Sequence, residues 1–113
     1  KLNYDDRLFL MVGRHFKFLK VDTILGVSAA GDYSEVLTSD GNKGLTHKSM
    51  KEWEARLPAQ YFIRVHRSTI INMEFVERIE EWFNYSFRVY LKGVEEPFVI
   101  SRRYAAKLKE KLG

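Results

Sequence analysis

The chain lacks cysteine altogether. That excludes a disulfide scaffold, a zinc finger built on thiolate ligands, and thiol catalysis. Histidine is scarce: His15, His47 and His66 stand far apart, and no HxxxH or HxH pair offers metal-ligand spacing. No apolar run approaches the ~18 residues of a membrane span, and no signal-peptide pattern opens the chain. There is no GxSxG elbow and no phosphate-binding glycine loop, since "AAGDYS" holds a single glycine. Two tandem helices joined by a short turn are also missing, so a helix-turn-helix is not expected. No Ser/Gly linker, low-complexity run or internal repeat divides the sequence. Neither a catalytic nor a metal residue is nominated, and no cofactor is implied.

What is present fits one domain. The 113 residues are 45% hydrophobic and 30% charged, a composition that folds around a single core. Lys1-Leu2 is not an initiator, so the sequence is expected to be part of a longer polypeptide. Net charge is +4, but its distribution says more. Residues 101–113 place Arg102, Arg103, Lys107, Lys109 and Lys111 against Glu110 alone, whereas residues 74–81 carry four glutamates and one arginine.

Short alternating apolar runs predict strands at Leu8–Val12, His15–Val21, Ile24–Ala30, Tyr33–Ser39, Lys43–Thr46, Phe62–Val65, Val76–Phe83, Ser86–Lys92 and Phe98–Ser101. Gly31-Asp32 and Asp40-Gly41 mark turns. In "SMKEWEARL", Ser49 and Glu52 have capping-box spacing, Met50, Trp53 and Leu57 form a stripe, and Pro58 ends the helix. Ser101 can cap a C-terminal helix with Tyr104, Ala105, Leu108 and Leu112 on one side. The expected fold class is mainly β, with a short mid-chain helix and a short C-terminal helix.

The stretch "YFIRVHRSTIIN", residues 61–72, has apolar ends and a polar centre. As a strand, Phe62 and Arg64 share one face and Ile63 and Val65 the other. His66, Arg67 and Ser68 then project from a bend before Ile70 and Ile71 return to the core. Arg, Lys, Ser and Thr bind phosphates, and Arg and Asn read base edges, so this bend suits nucleic acid. Alternatively, Arg64 and Arg67 pair with the Glu74–Glu81 patch. Two further clusters have the same chemistry. Asp32, Tyr33 and Ser34 follow a turn, although Tyr33 equally suits a half-buried strand position. Arg102 and Arg103 open a helix whose N-terminal N–H groups attract anions, and their own charge is unfavourable there unless an anion compensates.

The pattern F-x-R-x-H-R-S-x-x-x-N, preceded by "GDYSEV" and "SMKEWEARL" and followed by "ISRRYAAKLKEKL", resembles the LytTR-type DNA-binding domain of bacterial LytR/AlgR-like response regulators. The resemblance covers residues 15 to 112. It implies an elongated arrangement of small, mostly antiparallel sheets with short helices. It also implies a cytoplasmic transcription regulator in a two-component system, which inserts loops into major grooves and bends double-stranded DNA. Implied partners are paired direct repeats of DNA, a second copy on that DNA, and an upstream receiver domain. Carried over by position, the DNA-contacting residues are Asp32, Tyr33, Ser34, His66, Arg67, Ser68, Arg102 and Arg103. Arg67 is expected to read a base, with Arg103 second, while Arg64, Ser68 and Lys48 hold phosphates. Residues 1–14 lie outside the match, as a linker or an added edge strand; 15–113 form the domain. An RNA-binding β domain using Trp82, Phe83, Tyr85, Phe87 and Tyr90, or a protein-interaction module, is the alternative.

Overall fold

The computed structural model describes all 113 residues. Ten strands and two helices follow in the order β1 (Arg7–Val12), β2 (His15–Lys20), β3 (Ile24–Ala30), β4 (Tyr33–Thr38), β5 (Lys43–Thr46), α1 (Met50–Arg56), β6 (Phe62–His66), β7 (Thr69–Asn72), β8 (Val76–Glu81), β9 (Phe87–Leu91), β10 (Phe98–Ile100) and α2 (Arg102–Leu112). They form two antiparallel sheets. The larger has seven strands in the order β2-β1-β5-β4-β3-β7-β6, and the smaller runs β10-β9-β8. The molecule is elongated, 41 × 28 × 26 Å, and neither helix is long and apolar enough to cross a membrane.

The large sheet buries apolar side chains on both faces. On one, Ile24, Val27, Val36, Phe62 and Ile70 close over Met50, Trp53 and Leu57 from α1 and its C-terminus. On the other, Leu25, Val65 and Ile71 meet Val89, Leu91 and Ile100 of the small sheet and Ala105 of α2. The pleat sends successive residues to opposite faces, which divides Phe62 from Val65 and Ile70 from Ile71. A bulge between Ile24 and Gly26 shifts that alternation. Ile24 and Val27, three residues apart, therefore share one core. Gly26 pairs with Ile71 of β7, and an added Cβ there would lie 2.8 Å from the Ile70 carbonyl oxygen.

Local signals act as the sequence suggested. The Ser49 hydroxyl accepts from the Glu52 N–H, and the Glu52 carboxylate accepts from the Ser49 N–H, each at 3.1 Å. Ser101 caps α2 through the Tyr104 N–H. Three expectations change. The strand predicted to reach Phe83 stops at Glu81, because Asn84 and Tyr85 adopt φ of 53° and 61° and form a tight turn. Leu112 continues the α2 stripe beside Leu108 but is 60% exposed, because the core does not extend over the end of the helix. Residues 1–14 are neither linker nor edge: β1 lies between β2 and β5, and buries Leu8 and Leu10. The edge strand is β2.

A candidate nucleic-acid interface

Antiparallel topology carries several loops to one rim of the large sheet. Thr46 at the end of β5 pairs with Ser34 at the start of β4. The end of β3 joins the β6–β7 turn through the Ala29 N–H, which donates to the Ser68 carbonyl at 2.8 Å. The Ser101 N–H donates to the Val65 carbonyl at 2.9 Å, fixing the start of α2 against the end of β6. Three segments distant in sequence thus meet: residues 30–34, residues 66–68 and residues 101–103, with residues 46–49 beside the first. From β5 to β6 the sheet order spans four strand spacings, about 19 Å at ~4.8 Å each.

Within this rim the β6–β7 turn is held internally. Arg64 is half-buried and spans the bend. Its Nε donates to the His66 carbonyl at 3.3 Å, Nη2 donates to the Arg67 carbonyl, and Nη1 meets the Glu54 carboxylate of α1 at 3.1 Å. The His66 Nδ1 accepts from the Ser68 N–H at 3.2 Å and lies 2.9 Å from the Ser68 Oγ. With the His66 and Arg67 carbonyls satisfied and Ser68 held to His66, Arg67 points into solvent. It has no carboxylate within 4 Å, and Arg64 pairs with Glu54 of α1, so neither arginine pairs with the Glu74–Glu81 patch.

Ser34 departs from its expected place. It is 1% exposed. Its hydroxyl accepts from the Trp53 Nε1–H at 2.7 Å and lies 2.7 Å from the Thr46 Oγ1, which in turn accepts from the Lys48 N–H. The reason is register: Ser34, Val36 and Thr38 face the α1 core, and Tyr33, Glu35 and Leu37 face away. Ser34 therefore supports the rim from beneath. Tyr33 is exposed and packs against the His47 ring, with centroids 4.4 Å apart; Asp32 is exposed in the preceding turn, and Lys48 is half-buried. His47 was not nominated from the sequence. Its place between β5 and the α1 cap was the available signal.

Arg102 and Arg103 are exposed at the start of α2. The Arg102 guanidinium lies 5.6 Å from the Tyr85 ring centre, so the aromatic β8–β9 turn borders this part of the rim. Lys48, Arg67, Arg102 and Arg103 lack an acidic partner within 4 Å, as do most of the 19 lysines and arginines; Lys20, Lys43, Arg64 and Arg78 are the paired ones. No cluster of three or more His, Asp or Glu side chains converges anywhere in the chain.

Comparison with known proteins bears on what such a rim is for. Residues 14–113 match the model of the LytTr DNA-binding domain. The chain belongs to the LytTR family. It is 30% identical over 112 residues to the transcriptional regulatory protein LytR of Staphylococcus aureus N315, covering 98% of this chain and 44% of that protein. It is 38% identical over 68 residues to the sensory transduction protein LytR of Staphylococcus epidermidis, covering 60% and 27%. The chain thus spans less than half the length of these curated relatives. A LytTr DNA-binding domain from Bacillus cereus superposes with a TM-score of 0.87 at 23% identity, over 96% of this chain and 97% of that one, and shares the fold. The LytTR match begins inside the β1–β2 turn, although β1 is a full member of the sheet.

Proposed function

We propose that this LytTR domain binds double-stranded DNA sequence-specifically, as the output module of a two-component response regulator. The observation that carries the reading is the set of four unpaired basic side chains, drawn from three segments and held on one rim by backbone hydrogen bonds. Unpaired cations gathered this way supply the attraction to a phosphate backbone. The rim's ~19 Å exceeds the ~12 Å width of a major groove, so its loops reach base edges and flanking phosphates together. Arg67, exposed in the β6–β7 turn, takes the base-reading role, since bidentate Arg–guanine pairing is the commonest specific contact. Lys48, Ser68, Arg102, Arg103 and the Tyr33 hydroxyl hold phosphates. Arg64, His66 and Ser34 shape the turn and the rim.

The same reading includes paired direct repeats as the target, two copies on that DNA, bending at flexible steps, a receiver domain elsewhere in the polypeptide, and a cytoplasmic setting. Selection from a random duplex pool tests specificity and repeat spacing together. The three cationic phosphate contacts, Lys48, Arg102 and Arg103, give a slope of log K against log salt of about −3. Arg67→Ala is expected to cost about 1–3 kcal/mol on the selected site and to relax preference at one base pair. Equal losses on selected and random duplex would remove base reading from Arg67. Tighter binding of single-stranded RNA than of duplex would favour stacking by the exposed Trp82, Phe83 and Tyr85 instead.

A further inference from the structure

The rim does not end at Arg102 and Arg103. Ile100 at the end of β10 pairs with Phe87 at the start of β9, and Phe87 pairs with Glu81 at the end of β8. The β8–β9 turn, residues 82–86, therefore stands at the same end of the small sheet as the start of α2. It carries the rim two strand spacings beyond β10, about 10 Å at ~4.8 Å each. The turn is bonded across itself. The Trp82 N–H donates to the Ser86 carbonyl at 2.9 Å, and the Phe83 carbonyl accepts from the Ser86 N–H at 3.1 Å and from the Ser86 hydroxyl at 2.7 Å. These bonds hold Asn84 and Tyr85 at φ of 53° and 61°, a backbone conformation unfavourable for a bulky side chain.

Three rings stand in water on this turn. Trp82, Phe83 and Tyr85 are 47%, 74% and 78% exposed. At about 200 Å² per aromatic side chain they leave roughly 400 Å² of apolar surface uncovered, the size of a functional patch. Guanidinium groups lie over two of them: Arg88 is 4.7 Å from the Trp82 ring centre and Arg102 is 5.6 Å from that of Tyr85. Neither arginine has a carboxylate within 4 Å. Of the neighbouring acids, Glu80 is taken by Arg78. Glu81 precedes Trp82 in extended backbone, so the two side chains leave on opposite faces. Free cations laid over aromatic rings suit a partner that alternates anionic groups with flat apolar ones, which is the make-up of a nucleotide chain.

We infer that the Trp82–Tyr85 turn is a further contact of this domain with duplex DNA, in which Phe83 and Tyr85 pack on the sugars and base edges of nucleotides flanking the phosphate held by Arg102. The inference rests on the DNA-binding reading above and adds a contact of another kind to it. Continuity with the rim decides the partner: a phosphate on Arg102 brings its own nucleotide within reach of the Tyr85 ring, 5.6 Å from that guanidinium. Ionic contacts release counterions and weaken with salt, whereas aromatic packing releases none. The turn therefore supplies affinity that salt leaves in place.

Trp82 is its own reporter, because the chain's other tryptophan, Trp53, is fully buried. Titration with the duplex selected from the random pool is expected to change the exposed-tryptophan emission and to shield it from acrylamide, and Trp82→Phe is expected to abolish both effects. Phe83→Ala combined with Tyr85→Gly removes two exposed rings and keeps the turn, since glycine accepts the φ of Tyr85. That variant is expected to bind the same duplex about tenfold more weakly, with the wild-type dependence on salt. Duplex binding that leaves Trp82 open to acrylamide, or that keeps full affinity without the two rings, overturns the inference and leaves the DNA-binding reading standing. Emission changes with single-stranded RNA and none with duplex assign the turn to RNA and overturn the inference likewise. A wild-type chain that binds no duplex overturns both.

Discussion

Arg64 offers the sharpest test of how the rim is built, because the sequence nominates it as a phosphate ligand and the structure employs it as a brace. Arg64→Ala removes two hydrogen bonds to the carbonyls of the bend and one ion pair with Glu54. The pair is half open to water, with side-chain exposures of 17% and 52%, so solvent screening holds it to about 0.5 kcal/mol. The carbonyls regain water at the surface once Arg64 is gone, so each bond is worth about 1 kcal/mol, below the range for fully buried charged donors. The sum is about 2–3 kcal/mol, a large share of the ~5–15 kcal/mol that stabilises a domain. At this chain length the melting temperature should fall by roughly 10 °C. Thermal and urea unfolding measure it, with Arg67→Ala as the reference; that exposed substitution should stay within about 0.5 kcal/mol of wild type. If Arg64→Ala leaves stability unchanged while the salt slope for duplex weakens by about one, Arg64 is a phosphate ligand and the brace is wrong.

Three other outcomes follow from buried polar groups and close backbone contacts. Ser34→Ala leaves the fully buried Trp53 indole N–H without its acceptor; urea titration should show a loss of about 1–3 kcal/mol, with base preference in the selected site unchanged. Gly26→Ala drives a methyl onto the Ile70 carbonyl oxygen, so β3 and β7 must separate; the expected cost is about 2 kcal/mol or more, read by unfolding and by faster amide exchange across that pair. Burial raises the Tyr4 phenol above its usual value of 10.0. A raised acid contributes stability that is complete below the unfolded value and is lost as pH rises through the folded one. Wild type should therefore weaken above about pH 10, and Tyr4→Phe should flatten that part of the curve while lowering stability at neutral pH, since the Asn72 side-chain amide loses an acceptor.

Local chemistry was legible in the residues; pairings between distant segments were not. The Ser49–Glu52 box is written in four consecutive residues, and Ile24–Ala30 and Lys43–Thr46 have their observed limits because turn residues bound them. Alternation gives a strand two faces but does not say which neighbour covers each. Phe16 and Phe18 lie on one face of β2, yet nothing in the sequence says that the small sheet stops short of them. Ser34 was misread for a related reason. Its strand turns Ser34 and Thr38, two polar side chains, toward the core beside Val36, and the Trp53 N–H that makes Ser34 welcome there comes from a helix nineteen residues later. The partner of Arg64 lies upstream on α1, ten residues away, and Glu74, ten residues downstream and as close in sequence, is not used by it.

The motif itself changes meaning once its residues are placed. In F-x-R-x-H-R-S-x-x-x-N, Phe62 is core and Asn72 is a buried hub. The Asn72 side chain donates to the Tyr4 hydroxyl and the Ile24 carbonyl and accepts from the Glu74 N–H. Arg64 braces the bend, and His66 and Ser68 are bonded to each other. Of the six named positions only Arg67 is left with a free side chain. Most of this pattern specifies a turn of fixed shape, and one position leaves its side chain free in solvent. Exchanging Arg67 should therefore redirect base preference at nearly constant stability, whereas exchanging its neighbours should weaken the fold first and affinity only as a consequence.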